Sequence, residues 1–175
     1  MATATMSTLN TLDTLNTRDT LDTLNTRDTQ DKAASKDEGD ILALVEAMLR
    51  ANHDKDATAF SAPFAPDAAV FNLAPPLVHH GIDLEEKRAW YESWATPVDL
   101  ESRDLKVSIS GDLAFCHGFL RLTGTKKGAE GAVSFWMRET LCLERIRGEW
   151  KIVHEHTSVP FYMDGTLRPA FDLEP

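Results

Sequence analysis

The chain has 175 residues, 42% of them hydrophobic, which is enough apolar material for one core and too little to make a second domain a reasonable expectation. With 28 acidic against 18 basic side chains the formal charge is -10, which suits solubility and argues against a nucleic-acid partner gripped by clustered Lys and Arg. The two cysteines, Cys116 and Cys142, read as reduced, buried small hydrophobes; no run approaches the ~18 apolar residues of a membrane span, the first residues lack the charged-then-apolar order of a signal peptide, and the cytoplasm is the expected address.

Residues 12–20 read LDTLNTRDT and residues 21–29 repeat those letters unchanged. Two short copies rich in Thr, Asp and Asn cannot stack into a solenoid core, so residues 1–35 are expected to be a disordered low-complexity tail. The folded domain is expected over 36–165, with a C-terminal tail over 166–175. Ser35-Lys36-Asp37-Glu38 has the form of a capping box, with Asp37 or Asp40 as alternative N-caps, and Ile41, Leu44, Val45, Met48 and Leu49 then recur on one helical face, predicting a helix to about Ala51. Asp56 can cap a short second helix carrying Phe60 and Phe64.

Ala69 to Leu73 suits a strand between Pro66 and Pro75-Pro76. Asp83 opens a third helix carrying Ala89, Trp90, Tyr91 and Trp94, with His79 and His80 in the loop before it. After Pro97 the period becomes two. Leu105, Val107 and Ile109 form one strand, Leu113 to Thr123 the next, Val133 to Arg145 a third and Glu149 to Val159 a fourth, with glycine turns between them. Helices followed by a meander of strands predict an α+β fold with the helices on one face of an antiparallel sheet.

FAPDAAVFN (64–72), the helix after HHG (79–81) and RETLCLERIRGEWKIVHEHTSVPF (138–161) resemble the SnoaL-like branch of the nuclear transport factor 2 fold. That superfamily includes ketosteroid isomerases, polyketide cyclases and the association domain of calcium/calmodulin-dependent kinases. The resemblance covers about residues 37–162. It implies a cone-shaped, cystatin-like curved sheet with N-terminal helices on its concave face, and a pocket for a small hydrophobic or aromatic molecule. One fold hosts many chemistries, so it implies less about activity.

Ketosteroid isomerases need a carboxylate base, a phenol and a protonated acid. By resemblance these positions fall on Asn72, Met48 and Leu141, none of which can transfer a proton or donate to an oxyanion, so that mechanism is not expected. The resemblance also turns Leu141 inward, and strand parity then takes Met137 and Glu139 with it. Val153, Glu155 and Thr157 follow on the last strand, and Phe115, His117, Phe119 and Arg121 on the second.

His117 is the candidate acid/base, because an imidazole titrates near neutrality without help. Arg121, Glu139 and Glu155 are candidate ligand-binding groups, with Trp90, Trp94, Phe119, Met137 and Leu141 as the apolar wall. A glutamate held by Arg121 would be a poor base. His154 and His156, two apart on a strand, fall on the opposite face with Arg138, Thr140, Trp150 and Ser158, and read as interface or packing residues rather than metal ligands. No metal or organic cofactor is expected; GTKKGAEG (124–131) lacks the order of a phosphate loop. The expectation is a small-molecule binder or cofactor-free isomerase, cyclase or lyase, as a homodimer without membrane or nucleic-acid partners. An oligomeric association or ligand-sensing module is the alternative.

Overall fold

The computed structural model describes the backbone from Leu12 and the side chains from Ala33 onward, and its contacts divide the chain into two compact units, Met1–Asp37 and Glu38–Pro175. The first helix, α1, runs Leu12–His53 rather than starting at Ser35. No Gly or Pro stands between Leu12 and Glu38, and each residue added to an existing helix gains a hydrogen bond, so capping residues met mid-course do not stop it. The disordered-tail expectation for residues 1–11 lies outside the described residues.

Within the second unit, Ile41, Val45 and Met48 of α1 are buried at helical spacing, as the sequence pattern predicts. Asp56 caps α2 (Ala57–Ser61), accepting from the amides of Thr58 and Ala59. Asp83 caps α3 (Leu84–Glu92) in the same way, through Glu85 and Glu86. The strands are β1 (Phe64–Phe71), β2 (His79–His80), β3 (Asp99–Ser110), β4 (Leu113–Gly124), β5 (Val133–Ile146) and β6 (Glu149–Ser158). They form one curved sheet in the order β2-β1-β6-β5-β4-β3. His79 and His80, expected in a loop, pair with Val70 and Ala69 and make its edge.

The sheet is not wholly antiparallel, because β1 pairs with β6 in parallel. A parallel neighbour requires a long crossover, here supplied by α3 and the meander β3 to β6. Ile41, Val45 and Met48 meet Val70, Cys116, Leu141, Leu143 and Ile152 in a single core, which defines a helix-covered face of the sheet. None of the helices in the described residues is long and apolar enough to cross a membrane.

Two irregularities decide which side chains reach that core. Between β5 and β6 the register steps from Cys142 opposite His154 to Leu143 opposite Ile152, leaving Val153 as an extra residue. The bulge reverses the alternation, so Trp150 and Ile152 share a face with Glu155 and Thr157. Trp150, expected with the outer histidines, is accordingly a buried core residue. In β3 a similar step falls between Arg103 and Lys106, opposite Gly118. A Cβ at Gly118 would stand 2.9 Å from the Arg103 carbonyl oxygen, so glycine lets the bulge lie against β4.

Candidate functional site

The register of β4 with β5 is unbroken and places Cys116 opposite Leu141, Gly118 opposite Glu139 and Leu120 opposite Met137. These pairs face the helices, and β6 adds Glu155 opposite Leu141 and Thr157 opposite Glu139. Glu139 and Glu155 are therefore diagonal neighbours on one face of adjacent strands, with Cβ atoms roughly 7 Å apart. They are only 2% and 8% exposed.

The intervening residues of β4 face outward, which corrects the expected parity of Phe115, His117, Phe119 and Arg121. His117 lies opposite Thr140 and is exposed, stacked on Phe115. Phe119 lies opposite Arg138 on that outer face. Arg121 pairs with Glu101 and lies 5.2 Å from the centre of the Trp136 ring, which Arg103 also covers at 4.4 Å. Apolar residues occur at both parities of β4, so alternation of hydrophobicity could not tell its faces apart. The small line Ala114, Cys116, Gly118 is the one the helices cover. His154 and His156 share the outer face with His117, contrary to expectation, and His154 Nδ1 donates to the Ala69 carbonyl at 2.7 Å.

Without Arg121 beside them, the two glutamates lose the cation expected to lower their pKa. Burial pushes the Glu139 carboxyl up to about 8, and the charge of Glu155 pushes it further in the same direction. Both of its oxygens are buried without a hydrogen-bond partner among the described residues. Burial likewise raises Glu155 to about 7, with Lys87 acting against the rise.

Lys87 projects from α3 toward the same region. Its Nζ donates to Asn52 Oδ1 at 3.2 Å and lies 3.5 Å from the centre of the Phe60 ring, 4.6 Å from that of Trp90 and 4.8 Å from that of Tyr91. Desolvation lowers it to about 8 although Glu155 favours its charge. Asn52, fully buried at the end of α1, donates through Nδ2 to the Val98 carbonyl at 2.8 Å and accepts through Oδ1 from Tyr91 as well, at 3.1 Å. Burial raises the Tyr91 phenol well above its ordinary value, which keeps it a donor.

Of the sequence-predicted residues, Glu139, Glu155, Met137 and Leu141 are thus brought to one face, with Trp90 beside Lys87. Trp94 is 4% exposed with its indole nitrogen buried and without a hydrogen-bond partner among the described residues, and its ring lies 5.5 Å from that of Trp90. Met48 and Leu141 are core residues, and Asn72 is exposed past the end of β1. Sequence reasoning missed Asn52, Lys87 and Tyr91. The available signal was the spacing of Lys87, Trp90 and Tyr91, which places a lysine among aromatics on one helical face. A surface depression of about 410 Å³ lined by Tyr162, Asp164, Arg168, Pro169, Phe171 and Asp172 contains none of these groups.

Chemically, the cluster offers a carboxyl that is neutral at pH 7, a carboxyl poised near pH 7, a phenol and an amine, all beside aromatic and aliphatic walls. Such a set can bind an oxygen atom and exchange a proton with it or with an adjacent carbon.

None of the curated proteins compared with the chain matches it. Among solved structures, a nuclear transport factor 2-like protein of unknown function from Pseudomonas putida is 30% identical, with a TM-score of 0.71 over 81% of this chain and 98% of the other. A candidate scytalone dehydratase from Novosphingobium aromaticivorans, 11% identical, gives a TM-score of 0.64 over 82% and 99% of the two chains. A ketosteroid isomerase-like protein from Erwinia carotovora, 23% identical, gives 0.56 over 69% and 93%. The last two show likeness of fold alone. The model of the SnoaL-like domain matches residues 41–162, from Ile41 in α1 to just past β6, and the chain belongs to the SnoaL-like domain family.

Proposed function

We propose that the chain binds a small hydrophobic or aromatic molecule against the helix-covered face of its sheet and moves a proton on it without an organic cofactor. An isomerase, cyclase or lyase reaction at a carbon next to a carbonyl fits this arrangement. The observation that carries the reading is Glu139, whose buried carboxyl oxygens have no hydrogen-bond partner among the described residues. A buried polar group left unmatched costs stability, and a ligand oxygen would supply its partner. Glu139, neutral at pH 7, would donate to that oxygen, and Glu155 would carry the proton. Met137, Leu141, Trp90 and Trp94 would form the apolar wall.

Thermal-shift measurement against aromatic ketones, polyketide-like phenols and steroids tests binding, because a molecule that prefers the folded state raises its melting temperature. Deuterium exchange at the α-carbon of any ketone that binds tests proton transfer. Glu155→Gln is expected to slow that exchange by about 10²-fold or more while preserving the thermal shift. The reading fails if no compound raises the melting temperature, and its catalytic half fails if Glu155→Gln exchanges as fast as the unaltered chain.

The outer face supports a homodimer in addition. Phe115 is 47% and Phe71 38% exposed there, large apolar surfaces on the same side of the sheet as His117 and His156.

A further inference from the structure

The lysine of the site has a setting that proton transfer between Glu139 and Glu155 does not require. Its amine is withdrawn from solvent among three aromatic rings, and its hydrogen-bond acceptor is a rigidly held amide oxygen. Because Asn52 Nδ2 is committed to the Val98 carbonyl, Oδ1 must face Lys87 and Tyr91. An amine nitrogen held by one such bond, with the centre of the Phe60 ring 3.5 Å away, keeps a defined position. Glu155 on β6 acts on this amine, and the same Glu155 acts on Glu139 on β5.

We propose that Lys87 Nζ captures an aldehyde or ketone carbonyl of the bound molecule as an imine, an inference that rests on the small-molecule reading above. The nitrogen lone pair forms the C–N bond while the carbonyl π pair moves onto oxygen, which takes a proton from the neutral Glu139 carboxyl. The nitrogen of the resulting carbinolamine gives a proton to the Glu155 carboxylate. Glu155 then returns that proton to the hydroxyl, which leaves as water while the nitrogen lone pair forms the C=N bond, giving a protonated imine beside the Glu139 and Glu155 carboxylates. One carbonyl oxygen leaves as water, and nothing is oxidised or reduced. Attack requires the neutral amine, and burial supplies it by holding Lys87 at about 8 rather than 10.5. The aromatic faces favour the cation, as does Glu155, but desolvation is the largest influence. Asn52 is a positioning residue in this scheme.

Reductive trapping provides the test. The full chain is treated near neutral pH with benzaldehyde and sodium cyanoborohydride, and labelled lysines are located by peptide mass mapping. Lys87 is expected to be benzylated roughly tenfold faster than the exposed Lys106, and Lys87→Arg is expected to lack that fast phase. Labelling of Lys87 no faster than Lys106, or none at all, overturns the proposal. A compound that raises the melting temperature while Lys87 stays unlabelled overturns the imine and leaves the binding reading standing; absence of any thermal shift overturns the binding reading itself.

Discussion

A carboxyl group with both oxygens out of water and no donor to meet them persists as the neutral acid, and among the described residues Glu139 is in that position. Its affinity for a proton ties folding to pH. The group titrates near 4.5 when unfolded and near 8 when folded, so between those values the native state holds a proton that the unfolded chain has lost. Stability therefore falls as pH rises through that window, and Glu155, raised to about 7, adds to the fall. Lys87 contributes the opposite slope at higher pH. Its folded value is about 8, so from there to 10.5 the unfolded state binds the extra proton and stability is regained. Glu139→Gln keeps the shape and removes the titration. Calorimetry between about pH 5 and pH 8 is expected to show the melting temperature of the unaltered chain declining, and a clearly flatter decline in the variant.

Among the elements, α3 matters most to the site because it delivers Lys87, Trp90 and Tyr91 together. Two features fix its start. Asp83 satisfies the first free amides of the helix, and Asp83→Ala is expected to cost about 1 kcal/mol in urea unfolding. Gly81, just before it, has φ of +70°, and a Cβ there would overlap the Pro66 carbonyl oxygen. Gly81→Ala combines backbone strain with that overlap and is expected to cost more than the loss of the cap, well above about 1 kcal/mol. Because β2 and α3 flank Gly81, the same variant is expected to weaken any thermal shift from a ligand.

For the whole molecule, contacts separate Met1–Asp37 from the rest, and the side chains of residues 33–36 are exposed. A chain beginning at Ser35 is expected to unfold cooperatively with its melting temperature within a few degrees of the full chain, measured by circular dichroism. Phe115→Asp, placed on the outer face, is expected to shift a dimer toward monomer in analytical ultracentrifugation while leaving ligand-induced thermal shifts in place. Loss of both together would mean that the outer face and the site cannot be separated.

Local chemistry determined much of this protein without help from the fold. The caps at Asp56 and Asp83, the buried stripe of α1 and the four strands of the meander follow from hydrogen-bonding and periodicity within a few residues. The inward placement of Glu139, Glu155, Met137 and Leu141 followed from family resemblance and a period of two. Alternation along β4 gave no such guidance, since apolar side chains stand at both parities. The bulge at Val153 exchanged the faces of Trp150 and its neighbours, because an added residue is defined only relative to a partner strand. Tertiary structure alone set Asn52, Lys87 and Tyr91 beside the sheet. It also sent Arg121 to Glu101 and Trp136, away from the glutamates. That separation changes their chemistry, because a carboxyl's proton affinity depends on the charges and solvent that the completed fold leaves around it.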